Sequence, residues 1–153
     1  MCSSDLKQLI PHLFETIDPE FAKRVKPGDF VIGGRDFAYG KPHVQGFIAM
    51  NALGVSVLCG SMPAKILRRA VGEGLPVLTG CDGAGDFAKT GDEIEVDFVT
   101  GEAINLTRGT KKQFPAMPQI LLDLVEKGGT RGVLTDWLKS HPEQAAKPAE
   151  AAQ

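Results

Sequence analysis

The sequence predicts an α/β domain built on a short parallel sheet, and three observations carry that prediction. Three brief apolar runs, Phe30-Val31-Ile32, Val55-Ser56-Val57-Leu58-Cys59 and Leu75-Pro76-Val77-Leu78, alternate with two stretches of helical periodicity. Strand, helix, strand, helix, strand in that order implies parallel pairing through right-handed crossovers. After Leu78 the pattern changes. Glu93 to Val99 alternates polar and apolar residues, and Ala103 to Leu106 returns across Thr100-Gly101-Glu102 as a hairpin partner. The chain has 153 residues, about one domain's length and enough to bury a core.

Each element has a local reason. From Ser4 to Val25, Leu6, Leu9, Ile10, Leu13, Phe14 and Ile17 recur at helical spacing, with an interruption at Pro11 and a turn or fresh start at Asp18-Pro19-Glu20. Lys26-Pro27-Gly28-Asp29 is a turn, and Gly33-Gly34 stops the first strand. Arg35 to Pro42 reads as a loop. Val44, Phe47, Ile48 and Ala52 fit a helix that Gly54 ends. Ser61 to Glu73 is a second helix, with Ser61 as its expected N-cap and Pro63 in its first turn. Gly80, Gly83, Gly85 and Gly91 punctuate a long loop. Met117 to Lys127 is helical, and Thr130 to Leu138 is a last helix or strand. One domain is therefore expected over 1–139, with a flexible Ala/Pro/Glu/Lys-rich tail over 140–153.

Composition excludes several classes. Lys and Arg number 17 against 19 Asp and Glu, a net charge of -2. Nucleic-acid and anionic-membrane binders normally carry a basic excess, so neither partner is expected. No apolar run is long enough to span a membrane, and the N-terminus shows no secretory pattern, so a cytoplasmic location is expected. Cys2, Cys59 and Cys81 are an odd set without C-x-x-C spacing, which argues against a disulfide framework or a structural zinc site. They are also too few for an iron–sulfur cluster. Cys59, ending an apolar run, reads as an inert core thiol; Cys81, in a glycine-rich loop, reads as the better candidate for exposure.

An ordered set of residues resembles a known family. Gly28-Asp29, Gly33, Asp36-Phe37, Gly40, Ala52-x-Gly54-Val55, Ser61, Arg68, Gly74-Leu75-Pro76-Val77-Leu78, Gly91-Asp92, Gly101 and Gly128-Gly129 are similar to the small subunit of 3-isopropylmalate dehydratase, the swivel domain of the aconitase superfamily. The resemblance covers roughly Leu6 to Leu138. It implies a swivelling β/β/α layered domain with a mixed sheet or small barrel, like the aconitase C-terminal domain. It also implies a large aconitase-type subunit that holds a 4Fe–4S cluster, no cofactor on this chain, and hydro-lyase or isomerase chemistry on a small hydroxy-dicarboxylate in leucine biosynthesis.

Departures from that family fall on its chemistry. Its loop reads G-S-S-R-E-H, where the first serine supplies the base and the arginine helps bind a substrate carboxylate. The matching stretch here is Gly40-Lys41-Pro42-His43-Val44-Gln45, with Lys41 at the serine position and His43 at the arginine position. A second motif, S-F-A-R, matches Ser61-Met62-Pro63-Ala64, so Ala64 stands in place of the arginine and Lys65 follows it. The family's opening strand and T-D-x-I-x-P loop have no counterpart.

The site candidates follow. Lys41 supplies a point charge and His43 an imidazole suited to acid–base work near neutral pH, and these two are the catalytic candidates. Tyr39, Gly40, Arg35 and Lys65 are the substrate-binding candidates. Ligands favour loops at the carboxyl ends of parallel strands, and helix-start amides can hold a carboxylate. The plainer alternatives are solvated loop residues for Lys41 and His43, and a surface ion pair with Asp36 or Asp29 for Arg35. Two functions compete: a subunit closing the site of a cluster-bearing partner, or a catalytically decayed swivel-domain paralogue acting as a ligand-binding or regulatory module. A chain lacking its first family strand exposes a sheet edge, so a homo-oligomer or heteromer is expected.

Overall fold

The three apolar runs do lie side by side. A computed structural model describes residues 5–40 and 43–145. Strands β1 (Phe30–Gly33), β2 (Ser56–Cys59) and β3 (Val77–Leu78) form a parallel sheet in that order. Phe30 stands beside Ser56, Ile32 beside Leu58, and Leu58 beside Leu78. Helices α3 (Gln45–Ala52) and α4 (Ala64–Gly72) make the crossovers.

Residues of alternating parity along a strand face opposite sides of the sheet. Val57, Cys59 and Val77 join Phe47, Met50, Ile66 and Ala70 in one core under α3 and α4. On the other face Leu58 and Leu78 meet Ala103, Phe114 and Met117, with Phe30 and Ile32 packed against them. That second core belongs to an antiparallel sheet of β4 (Ile94–Val96), β5 (Glu102–Asn105) and β6 (Thr110–Gln113). Phe30 stacks on Phe98 across the two sheets, with ring centroids 6.4 Å apart. Helices α6 (Gln119–Glu126) and α7 (Gly129–Ser140) complete the fold beside α4.

Several expectations need correction. The described residues hold two separate three-stranded sheets, one parallel and one antiparallel, rather than one mixed sheet or a closed barrel. Strands of two to four residues cannot sustain the continuous staggered ladder that closure requires. β6 is a strand the hydropathy pattern hides, because Thr110-Lys111-Lys112-Gln113 is polar on both faces and is recruited by pairing with β5. The N-terminal segment, expected to be interrupted at Pro11 and to turn or start afresh at Asp18-Pro19-Glu20, is α1 (Leu6–Leu9), a 3-10 turn (Ile10–His12) and α2 (Phe21–Arg24), with less helix than its spacing suggests. Pro11 and the left-handed Phe14, at φ 58°, stop its propagation. A one-turn helix, α5 (Ala84–Phe87), interrupts the glycine-rich loop. Thr130 to Leu138 is helix, as part of α7, and Pro142–Ala145 forms one further turn.

The antiparallel sheet is tied to α5 by one buried polar knot. Asn105 is fully buried and donates through Nδ2 to the Phe87 carbonyl at 2.8 Å and to Asp92 Oδ2 at 2.9 Å. Its Oδ1 accepts the Arg108 amide at 2.9 Å. Asp92 also accepts from the Lys89 amide at 2.9 Å and from Arg108 Nε at 2.6 Å. The Lys89 amide first, then Asn105 and Arg108, lower the Asp92 carboxyl from 3.8 to about 2. Asp97 is lowered in the same direction by the Thr100 hydroxyl and the Val99 amide. A carboxyl lowered on folding adds stability above its unfolded pKa and loses it as pH falls through the folded value. Urea midpoints should therefore drop between about pH 4 and about pH 2. Asp92→Asn should remove part of that dependence. Parallel midpoint-against-pH curves for the two proteins would show that the knot carries no charge-dependent stability.

Candidate functional site at the carboxyl edge of the parallel sheet

A parallel sheet sends all its chain exits to one edge. Here β1 leads into Gly34-Arg35, β2 into Gly60-Ser61, and β3 into Gly80-Cys81-Asp82. These exits are laced together. The Gly60 amide bonds to the Gly34 carbonyl at 3.1 Å, and the Gly80 amide to the Gly60 carbonyl at 3.1 Å. Arg35 Nε lies 3.5 Å from Asp82 Oδ1, bridging the first and third exits. Arg35 thus pairs with Asp82 and not with the expected Asp36 or Asp29. Both side chains are largely exposed, so the pair is worth at most about 1 kcal/mol and opens readily to a competing anion.

The loop after β1 carries most of the candidates and is clasped at its root. Ser61 Oγ accepts the Asp36 amide at 2.7 Å, and the Ser61 carbonyl accepts the Phe37 amide at 2.9 Å. Ser61 is therefore not the N-cap of α4. Pro63 occupies that position without a side-chain cap. The serine instead fastens the candidate loop to the β2 exit. Asp36 and Ala38 sit in the left-handed region at φ 52° and 60°, a conformation that costs a non-glycine residue about 1 kcal/mol or more and that neighbouring structure must hold. Beneath the loop the Phe37 ring packs against Gly33, where any Cβ would collide with it.

The clasp displays the turn outward. Tyr39 is 82% exposed, and Gly40 and His43 are exposed as well. Lys65 is exposed on the first turn of α4, with Arg68 and Arg69 on the same helix. Lys41 lies outside the described residues. α3 begins at Gln45, two residues beyond His43, and Val44 offers no side-chain cap, so the first-turn amides have no partner within the helix. Beside His43 opens a groove of about 690 Å³ between α3 and the N-terminal turns.

Cys59 and Cys81 are both buried, contrary to the exposure expected for Cys81. Burial pushes both thiols up to about 11. Two buried thiols on adjacent strand exits do not make a cluster-ligating set. Among the described residues no group of three or more His, Cys, Asp or Glu converges on one point. No helix among them is long and apolar enough to cross a membrane. What sequence reading missed is Asp82, Phe37 and the clasp that Ser61 makes. Ser61 and Asp82 act through contacts 25 or more residues away in the chain, Phe37 through Ser61 and Gly33, and no local signal announces them.

Two sheets under helices, with a clasped loop at the carboxyl edge of the parallel one, define an aconitase-type small-subunit fold. The crystal structure of a 3-isopropylmalate dehydratase from Methanocaldococcus jannaschii superposes with a TM-score of 0.78 at 25% identity, covering 93% of this chain and 84% of that one. No family model matches the sequence. Individual relatives do. A 3-isopropylmalate dehydratase small subunit from Archaeoglobus fulgidus is 37% identical over 140 residues, 91% of this chain and 83% of that protein. One from Clostridium beijerinckii is 36% identical over 133 residues, 86% and 82% of the two chains. An isopropylmalate/citramalate isomerase small subunit from Methanocaldococcus jannaschii is 33% identical over 124 residues, 80% and 73% of the two chains. The chain belongs to the 3-isopropylmalate dehydratase small-subunit family.

Proposed function

We propose that this chain is the small subunit of an aconitase-type hydro-lyase acting on a hydroxy-dicarboxylate, and that it closes the active site of a cluster-bearing large subunit in the cytoplasm. The observation that supports this most directly is the outward turn at the carboxyl edge of the parallel sheet, with a groove beside it. In this reading the 4Fe–4S cluster is held by the partner, and the burial of Cys59 and Cys81 in the core supports it. In this reading Lys41 and His43 are the catalytic residues: Lys41 offers charge to a carboxylate, and His43 carries or receives a proton. Arg35, released from Asp82, joins Tyr39, Gly40 and Lys65 in holding the acid. Among the described residues no strand pairs with the outer edge of β1, and a large subunit, or a second copy of this chain, would extend the sheet there.

The loss of the family's serine and arginine favours a second reading, a ligand-binding module without catalysis. Reconstitution with the large subunit separates the two. Under the first reading the complex hydrates an unsaturated dicarboxylate, and Lys41→Ala and His43→Ala each lower the rate about 100-fold while the subunits still co-elute. An inactive complex, or one indifferent to both substitutions, would sink the catalytic reading and leave the module.

A further inference from the structure

We infer that the acid this site receives carries a large apolar substituent, bulkier than a branched three-carbon group, and that the groove between the N-terminal turns and α3 holds it. The inference rests on the proposed function and names the substrate class for the same site.

The groove has two apolar walls. Leu9, Leu13 and Phe14 form one, and Phe37, Phe47 and Met50 form the other. The second wall is built from the candidate loop itself and from α3, so groove and loop are one continuous surface. His43 stands where the two join. A volume of about 690 Å³ lies within the range of roughly 300–1,000 Å³ found for pockets that enclose whole drug-sized ligands. An isopropyl group would leave most of it to water. Water against six apolar side chains is unfavourable, and an aromatic or long alkyl group would displace it.

Polar side chains stand on both sides of these apolar walls, Gln8, His12 and Thr16 on the N-terminal turns and His43 and Gln45 at the start of α3. A carboxylate head could rest against His43 and the first turn of α3, whose N-cap Val44 makes no side-chain bond. The walls are also preformed. Phe14 is held at φ 58° with its ring edge-on to Phe21, centroids 5.0 Å apart. Phe37 is fixed against Gly33. At the rim Ile17 is 82% exposed, apolar surface that a bound substituent would cover.

Gly46 offers a clean test. It lines the groove in the first turn of α3, and a Cβ there meets nothing within 4 Å. Gly46→Leu should fill the groove without disturbing the fold. Full-length chain labelled with nitrogen-15 is titrated with benzylmalate and, separately, with methyl-substituted malate. Benzylmalate should give saturable amide shifts at Phe37, Phe47 and Met50, and Gly46→Leu should weaken its binding at least tenfold. Methyl-substituted malate should leave those amides unmoved. The reconstituted complex is then assayed on the matching unsaturated acids, where the benzyl acid should be preferred and Gly46→Leu should reverse the preference. Groove amides blind to benzylmalate, in a chain whose complex still hydrates a small acid, would overturn this inference and leave the proposed function standing. Saturable groove shifts with a complex inactive on every acid would uphold the groove as the acid's binding site and defeat the catalytic reading.

Discussion

Gly101→Ala should destabilise the chain by about 3 kcal/mol or more. Gly101 sits between β4 and β5 at φ +79°, a left-handed conformation that disfavours any side chain. A Cβ there would also strike the Phe114 carbonyl oxygen and stand 3.0 Å from the Ala116 amide nitrogen. Neither obstacle is a flexible side chain, so relief would need the backbone after β6 to move. That backbone is anchored, because the Phe114 amide donates to the Gly101 carbonyl at 2.9 Å and Phe114 itself is core. Gly109→Ala is the control. Its φ is +66° but nothing lies within 4 Å of its Cβ position, so it should show only the left-handed cost, about 1–2 kcal/mol. Urea denaturation of the two variants measures the difference. Equal losses would mean that the contact with Phe114 is slack.

Asn105→Ala should cost roughly 3 kcal/mol, by a different route. The alanine removes donors to the Phe87 carbonyl and Asp92 and the acceptor for the Arg108 amide. Water cannot replace them readily, because Asn105 has no exposed surface. Each buried group left without a partner costs about 1–3 kcal/mol, and the cavity adds to the loss. The Asp92 carboxyl would lose one of the groups that lower its pKa. The acid limb of the stability curve should therefore shift to higher pH in the variant. A loss below about 1 kcal/mol, with the acid limb unmoved, would show that the knot relaxes around the gap.

Much of the architecture was legible because it is written locally. The runs Phe30–Ile32, Val55–Cys59 and Leu75–Leu78 are short, apolar and followed by glycines, and such runs joined by helices pair in parallel with both faces covered. What could not be read is what borrows its reason from elsewhere. β6 is a strand only because β5 lies beside it. The N-terminal segment has helical spacing with a visible break at Pro11, yet only the structure shows the left-handed Phe14 and the placing of the apolar residues against α3 and in a groove wall. Cys81 sits in glycine-rich surroundings that suggest exposure, and the β2 exit covers it through the 3.0 Å bond from its amide to the Cys59 carbonyl.

The site divides the same way. Sequence by itself pointed to the loop around Gly40 as the candidate, because that loop follows the first strand of a run whose helical connections make it parallel. It also settled the family, because glycine and turn positions keep their spacing wherever backbone conformation demands them. Tertiary structure alone decided that Ser61 is a clasp and not a cap, that Asp82 is the partner of Arg35, and that an apolar groove adjoins His43. Each of those depends on which side chains meet across the fold, and pairwise meeting is a property of packing that no periodicity along one chain encodes.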